Sequence, residues 1–309
     1  MSQSRQYLPG STYTYTRRTC LGTCRFVPEP LINAVFFFAV AIAAFMTNVS
    51  IHAFVVMPNH IHMVLTDNAE TARLPDFLRI FHSLVARALI RIQEEPGPVW
   101  DSRGPDIKRI EGPETILRKI VYVLANPAAA HLCRDPERWY GAISPIAAMG
   151  GEPIDCPRPR RFAAKVTAMA KSHRLRLTIP AAFGDISAED YQALVRRRLQ
   201  ARVTDITERR RRRGGRILAR SIVEKRDIFA RPTEHPSTKR RDQTGRRSLF
   251  RHLECDAELY EELALALIGF RRAYRDAYDR WRSGEHDVEF PCGTWAVGRY
   301  HGARVAGRA

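Results

Sequence analysis

The chain has 309 residues, of which 45% are hydrophobic, so it can bury a sizeable core in one large domain or two smaller ones. Lys and Arg number 50 against 33 Asp and Glu, which gives a formal net charge of +17. Such a charge attracts polyanions, above all nucleic acid and less often an anionic membrane, although a merely basic soluble protein would share it. The six cysteines are scattered without CxxC pairs, which argues against a zinc site and favours free thiols in a reducing compartment.

The first predicted elements are a strand and an apolar helix. The alternation in "TYTYTRRTC", Thr12 to Cys20, is typical of a strand. The uncharged run "LINAVFFFAVAIAAFM", Leu31 to Met46, is shorter than the about 20 residues that span a membrane. We therefore predict a buried core helix rather than a membrane span. No secretory signal is expected, because no apolar core follows the first Arg.

Two strands, a helix, a strand and a further helix follow. The strands are predicted at about Val49–Val56 and His60–Leu65, and the apolar spacing of Leu74 to Glu95 predicts a helix. "PVWDSRGPDIKRIEG" indicates a weaker, Gly-interrupted strand, and "GPETILRKIVYVLANP" begins a helix with Pro113 in its first turn.

This order of elements predicts an α+β fold. Strand, helix, strand, strand, helix, strand, helix is the split βαβ pattern of a ferredoxin-like domain, an antiparallel sheet with helices on one face. The pattern occupies about residues 10 to 145, so we assign residues 1–150 to this domain.

The character of the sequence changes in residues 151–309, which we predict to be a basic, mainly helical C-terminal region. An Arg-rich helix begins at Ser187…Asp190 and ends at Gly214-Gly215. Arg231 to Ser248, poor in apolar residues, is predicted to be a flexible basic loop. "DAELYEELALALIGFRRAYRDAYDRW" predicts an amphipathic helix that packs on the first domain or on a neighbouring helix.

Two histidines stand where the strand after "MPN" begins, in "HAFVVMPNHIHMVLTD". Side chains two apart on a strand share a face, so His60 and His62 point the same way and Ile61 points to the other face. Two neutral imidazoles at this spacing can bind one divalent cation and leave positions for water or a phosphate oxygen. Two polar side chains bonded to the backbone near a strand end would show the same pattern.

A second informative stretch is "RKIVYVLANPAAAHL". On a helix, Tyr122 and Asn126 are i and i+4, so they lie on one face a single turn apart. A tyrosine hydroxyl can attack phosphorus as a nucleophile, and the Asn126 carbonyl oxygen suits a hard cation as a third ligand. Because Pro127 disfavours helical geometry at the preceding residue, we expect the pair at a helix end.

The three motifs "HAFVVMPNHIHMVLTD", "VWDSRGPDI" and "YVLANPAAAHL" resemble, in this order, the single-tyrosine HUH transposases of the IS200-like group. The closest branch is the REP-associated tyrosine transposases. The resemblance covers about residues 10 to 145 and departs from the family after the NP dipeptide, where the chain has Ala128-Ala129-Ala130-His131.

The resemblance implies a transposase that cleaves and rejoins single-stranded DNA at hairpin or repeat ends. Tyr122 would form a 5′-phosphotyrosine and leave a free 3′-hydroxyl. His60, His62 and Asn126 would bind Mg²⁺ or Mn²⁺. A bacterial cytoplasmic, nucleoid-associated location is implied. The sequence does not decide between a monomer and a homodimer that shares its tyrosine helices.

Basic residues and one tryptophan are candidates for DNA contacts. Those expected near the site are Arg17, Arg18, Arg79, Lys108, Arg109 and Lys119, with Trp100 as a stacking surface for an unpaired base. A second patch would raise the affinity for any nucleic acid with steep salt dependence, and it consists of Arg209, Arg210, Arg211, Arg212 and Arg213. Each residue could equally be a solvated charge or, for the tryptophan, a core aromatic.

Two other functions stay open at this point. A domesticated DNA-binding protein could keep the fold without cleaving DNA, although a retired site could have lost any of its four residues. A replication or conjugation nickase shares the chemistry, but such enzymes are commonly larger, and no GxxxxGK[ST] motif for ATP occurs here.

Overall fold

The computed structural model describes residues 5–162, 170–231 and 253–307. Its strands, in chain order, are Thr12–Arg18 (β1), Val49–Met57 (β2), His60–Asp67 (β3), Asp106–Glu111 (β4), Ile154–Pro157 (β5), Ser172–Leu175 (β6), Leu253–Cys255 (β7), Glu289–Phe290 (β8) and Arg304–Val305 (β9). Its α-helices are Pro30–Thr47 (α1), Leu74–Gln93 (α2), Pro113–Ala129 (α3), Ala188–Arg212 (α4), Arg220–Glu224 (α5), Tyr260–Arg282 (α6) and Ala296–His301 (α7). The predicted loop from Arg231 to Ser248 lies, beyond its first residue, outside the described residues.

A five-stranded, mostly antiparallel sheet forms the centre of a mixed α/β fold. Its strand order is β2-β3-β1-β4-β7, and β4 and β7 are the parallel pair. The predicted succession of strands and helices through α3 is confirmed. Strand β1 pairs with both β3 and β4 and is therefore central, as expected for a strand in which Tyr13 and Tyr15 are almost fully buried.

Helices cover both faces of this sheet, whereas one face was expected. Helix α1 packs Phe37 against Phe54 of β2, and His82 of α2 bonds to the Tyr15 hydroxyl of β1, so both helices lie on one face. His62 points to the opposite face, where α3 lies. Because α1 and α2 already occupy the first face, the apolar stripe of α3 can be buried only against the second.

Helix α1 is the apolar run for which a membrane span was weighed. By length and composition it is able to cross a membrane, with a mean hydropathy of 2.1. In this fold 56% of it is buried, against α2 and β2 among other elements, while Phe45 and Met46 near its end are exposed.

The C-terminal half contains the two long helices expected from the sequence and also short strands. Ser187 caps α4 by accepting a hydrogen bond from the Asp190 backbone N–H at 3.0 Å, which confirms the predicted start signal. Helix α4 packs along α3. Strand β7 joins the edge of the central sheet, because the outer edge of β4 offers unpaired backbone groups.

Candidate metal and nucleophile site

The first part of the site lies where β3 begins. The alternation of a strand places His60 and His62 on the face that α3 covers. Their rings are neighbours, with centroids 4.7 Å apart and planes at 87°. His62 is buried, with 8% of its surface exposed, and Thr16 of the central strand β1 pairs directly with it.

Both imidazoles are held through Nδ1 by polar side chains. Thr16 Oγ1 lies 2.7 Å from His62 Nδ1, and Asn59 Oδ1 lies 2.7 Å from His60 Nδ1. Asn59 is itself oriented by donating its amide N–H to the Gly22 carbonyl at 3.3 Å. Since a carbonyl oxygen only accepts, His60 Nδ1 carries the proton and its Nε2 carries the lone pair that a metal requires.

The surroundings keep both rings neutral near pH 7. Burial, the neighbouring His62 and Arg18 lower the pKa of His60 well below its usual value, and a hydrogen bond with the Asn126 side chain opposes this effect. Burial, Arg18 and Lys119 lower the pKa of His62 to about 3. A neutral imidazole is the form that binds a metal ion, so this electrostatic environment suits ligation.

The second part of the site comes from α3. The Tyr122 ring lies 5.5 Å from the His62 ring between centroids, and 47% of the tyrosine surface is exposed. Asn126 donates its side-chain N–H to the Tyr122 carbonyl at 3.1 Å, while its side chain also meets His60. The helix continues through Pro127 to Ala129, so the two residues keep helical i, i+4 geometry near its end.

The donor set fits a divalent cation. Two imidazoles and the Asn126 side chain meet at the site, although the described residues contain no cluster of three or more His, Cys, Asp or Glu. Nitrogen and oxygen ligands together suit Mn²⁺, and Mg²⁺ is commonly bound by few protein ligands with water or phosphate in the remaining positions. Three protein ligands would leave such positions open.

Three of the predicted DNA-contacting residues lie on the face that carries the histidines. Arg18 pairs with His60 across the β1–β3 ladder, and Lys108 lies opposite Thr14 on the other neighbour of β1. The Lys119 ammonium lies 6.0 Å from the centre of the Tyr122 ring. Arg18 and Lys119 therefore lie near His62. Both lysines also pair with Glu254.

Four others lie on the opposite side of the sheet or pack into its core. Arg17 pairs with Ile61, Arg79 extends from α2 toward Asp76, and Arg109 binds Glu111 at 2.7 Å. Trp100 packs against Phe26, Phe81 and His82, and its indole N–H donates to the His82 carbonyl at 3.0 Å. The structure does not bring these four residues to the histidines.

The Arg209–Arg213 patch ends α4, where Arg209 binds Asp205 at 2.9 Å and the remaining side chains are largely exposed. Cations at this end of a helix interact favourably with the helix dipole, so their location has a structural reason as well.

A cleft of about 610 Å³ between α3 and α4 has Tyr122 in its wall. Sequence reasoning missed its basic lining, Arg118, Arg198 and Arg202. Acidic side chains line it too, and Glu114 binds Arg198 at 2.8 Å. No local pattern in the sequence marks this cleft, because it is formed by two helices far apart along the chain.

Sequence reasoning also missed the residues that hold the site in place. Thr16 is one of several threonines in an alternating strand, and only the β1–β3 register pairs it with His62. Asn59 lies between the two predicted strands, where a turn is the expected structure. An Asn or Asp beside a metal-binding His is the one signal that could have identified Asn59, since second-shell acceptors commonly orient such ligands.

The distant structural neighbours of this chain include two transposases among the solved structures. One is a REP-associated tyrosine transposase bound to a REP hairpin, with 17% identity and a TM-score of 0.38 over 45% of this chain and 80% of that chain. The other is a putative transposase from Deinococcus radiodurans R1, with 18% identity and a TM-score of 0.27 over 35% of this chain and 84% of that chain. No family model and no curated protein matches the chain. Since both neighbours are distant, the case for function rests on the residues of this chain.

Proposed function

We propose that this protein is a metal-dependent transposase or endonuclease that cleaves and rejoins single-stranded DNA through a 5′-phosphotyrosine intermediate. The observation that carries the proposal is the meeting of the half-exposed Tyr122 with His60, His62 and Asn126 at one point of one chain. The order β2-β3-β1-β4, with α1 and α2 on one face, supports a ferredoxin-like core for this site.

In the proposed reaction the Tyr122 oxygen attacks a backbone phosphorus and the bond from phosphorus to the 3′-oxygen breaks. The phenol proton leaves to solvent, which reaches the half-exposed side chain, and the departing oxygen takes up a proton to become a free 3′-hydroxyl. Because the phosphotyrosine conserves the energy of the broken bond, a 3′-hydroxyl can reverse the attack and join strands without ATP.

The charges around Tyr122 suit the electrostatics of this step. Mg²⁺ or Mn²⁺, when bound by His60, His62 and Asn126, would supply positive charge against the phosphoryl oxygens. Arg18 and Lys119 lie close enough to lower the pKa of His62, so they also lie close enough to attract a phosphate held beside it.

The basic surface favours nucleic acid as the substrate class, and we propose single-stranded DNA within that class. The net charge of +17 attracts nucleic acid, and the cleft beside Tyr122 is lined by arginines whose ion pairs are half exposed. Exposed ion pairs contribute only about 0–1 kcal/mol, so phosphates can replace their carboxylate partners at little cost.

The test is formation of a covalent adduct between the purified protein and labelled single-stranded hairpins in Mn²⁺. We expect an adduct that survives denaturing electrophoresis for the wild type and none for Tyr122→Phe. Tyr300→Phe is the matched control, because Tyr300 is also exposed and lies in α7, outside the site. Hairpin binding without an adduct over a broad library and several metals would instead favour a DNA-binding protein that does not cleave. Absence of any binding would contradict the nucleic-acid assignment.

A further inference from the structure

Strand β7 belongs to the C-terminal half. It places Glu254, and Asp256 directly after it, near the start of α3, the helix that contains Tyr122. It runs parallel to β4, with Leu253 opposite Arg109 and Cys255 opposite Glu111. The Asp256 backbone N–H donates to the Glu111 carbonyl at 3.1 Å, which extends the contact by one residue. Strand β4 ends two residues before α3 begins, so β7 reaches the first turn of that helix.

Asp256 caps α3 although it lies 141 residues from its partner in sequence. Its Oδ1 accepts a hydrogen bond from the Thr115 N–H at 2.7 Å, and its Oδ2 accepts one from the Glu114 N–H at 3.3 Å. The residue in the N-cap position is Gly112, which has no side chain to perform this role and has a φ of 89°. A Cβ on Gly112 would overlap the Asp256 carboxylate, so the glycine makes room for the distant cap.

Glu254 connects β7 to the lysine beside the nucleophile. Its carboxylate binds the Lys108 ammonium at 2.8 Å and also pairs with the Lys119 ammonium. Burial alone would raise the pKa of Glu254, but the two lysines outweigh it and lower the pKa. The carboxylate is therefore ionised at neutral pH, and it holds Lys119 next to the Tyr122 ring.

We propose that Glu254 and Asp256 are positioning residues for Tyr122, so that the C-terminal half completes the reactive site. The inference rests on the proposed function. Asp256 fixes the first turn of α3, and Glu254 fixes Lys119 one turn before the nucleophile. Neither side chain needs to touch DNA to do so.

The first experiment measures the single-turnover rate of adduct formation and, separately, hairpin affinity for full-length Asp256→Ala and Asp256→Asn. A misplaced nucleophile can cost up to about 10²-fold in rate, so we expect Asp256→Ala to be slower by ~10-fold with affinity unchanged within about twofold. Asp256→Asn keeps an acceptor for the Thr115 N–H and should restore most of the rate. The matched control is Asp227→Ala, since Asp227 accepts from the Phe229 N–H at 2.9 Å in a turn outside the site.

In Glu254→Gln we expect the rate of adduct formation and the affinity for the hairpin to change in opposite directions. The loss of a negative charge and the release of two lysines should tighten hairpin binding by about two- to threefold. Adduct formation should nevertheless become slower, because Lys119 is no longer held in place. A rate that rises together with affinity would show that Glu254 merely repels DNA, and it would overturn this part of the proposal.

Hydrogen–deuterium exchange separates failure of this inference from failure of the proposed function. We expect the amides of Glu114 through Lys119 to exchange faster in Asp256→Ala than in the wild type, and to be restored in Asp256→Asn. Unchanged exchange would overturn the role of Asp256 whether or not the protein cleaves DNA. The wild type could form no adduct while the amide exchange rates change as expected. The proposed cleavage would then be wrong, and Asp256 would cap α3 only to stabilise the structure.

Discussion

The two ends of the β1–β3 strand pair hold histidines in different ways. At one end His52, which lies in the neighbouring strand β2, uses both ring nitrogens for structure: Nδ1 meets the Thr178 carbonyl at 2.8 Å and Nε2 meets Thr66 Oγ1 of β3 at 2.7 Å. Thr66 in turn bonds to Thr12 of β1 at 2.8 Å, which closes the network.

At the other end His60 and His62 of β3 lie beside Tyr122, the proposed nucleophile. Thr16 of β1 holds His62 through Nδ1, as Asn59 holds His60, and the half-exposed Tyr122 stands beside them. The difference teaches that burial alone does not identify a functional histidine. The half-exposed Tyr122 beside the His62 ring is what distinguishes this end.

The largest expected effect comes from replacing one histidine at each end with glutamine. His62→Gln removes an expected metal ligand, and we expect adduct formation in Mn²⁺ to fall by ~10³-fold or more, together with weaker Mn²⁺ binding. His52→Gln should keep the adduct rate within about threefold and lower the free energy of unfolding by about 1–3 kcal/mol, since it disturbs a buried hydrogen-bonded network. The measurements are adduct kinetics, titration with Mn²⁺ and urea unfolding. Equal losses of adduct rate in His62→Gln and His52→Gln would contradict the functional difference between the two ends.

A finer comparison uses two threonines of the same strand. Thr16→Val removes the partner of His62 Nδ1, and the loss of such a second-shell contact typically costs about 10- to 100-fold in metal affinity. Thr12→Val removes the matching hydroxyl at the structural end and should leave Mn²⁺ affinity unchanged. Isothermal titration with Mn²⁺ measures both. Normal Mn²⁺ affinity in Thr16→Val would mean that His62 is oriented by packing instead.

The smallest expected effect is on the pH dependence of folding stability, and it comes from His52. Burial lowers the pKa of His52 to about 4, and its hydrogen bond with Thr178 only partly opposes this. The unfolded chain, with a histidine pKa of about 6.5, therefore binds more protons than the folded chain between about pH 6.5 and 4. The stabilisation is fully present above pH 6.5 and is lost as the pH falls toward 4.

We expect His52→Gln to lose less stability than the wild type between pH 7 and 5, by about 1–2 kcal/mol, because each pKa unit is worth about 1.4 kcal/mol. Urea unfolding at both pH values, with a chelator present, measures this difference. Parallel pH profiles for the two proteins would contradict the assigned pKa shift of His52.

Local periodicity was enough to predict which residues of the candidate site share a face. The period of two puts His60 and His62 on one face, and the i, i+4 spacing puts Tyr122 and Asn126 on one side of a helix, as the structure has them. The alternation of β1 also puts Arg17 and Arg18 on opposite faces, but only the β1–β3 register shows that Arg18 is the one on the face of the histidines.

The sequence by itself thus determined the helices and strands through α3 and the two pairs of residues, because spacing along one element is a local property. Tertiary structure decided which face α3 covers, that Thr16 pairs with His62, and that Trp100 packs inside. It also decided that Glu254 and Asp256 reach the tyrosine helix. These contacts join residues far apart in the chain, and they follow from strand register and from which surfaces are left to bury, neither of which a local pattern encodes.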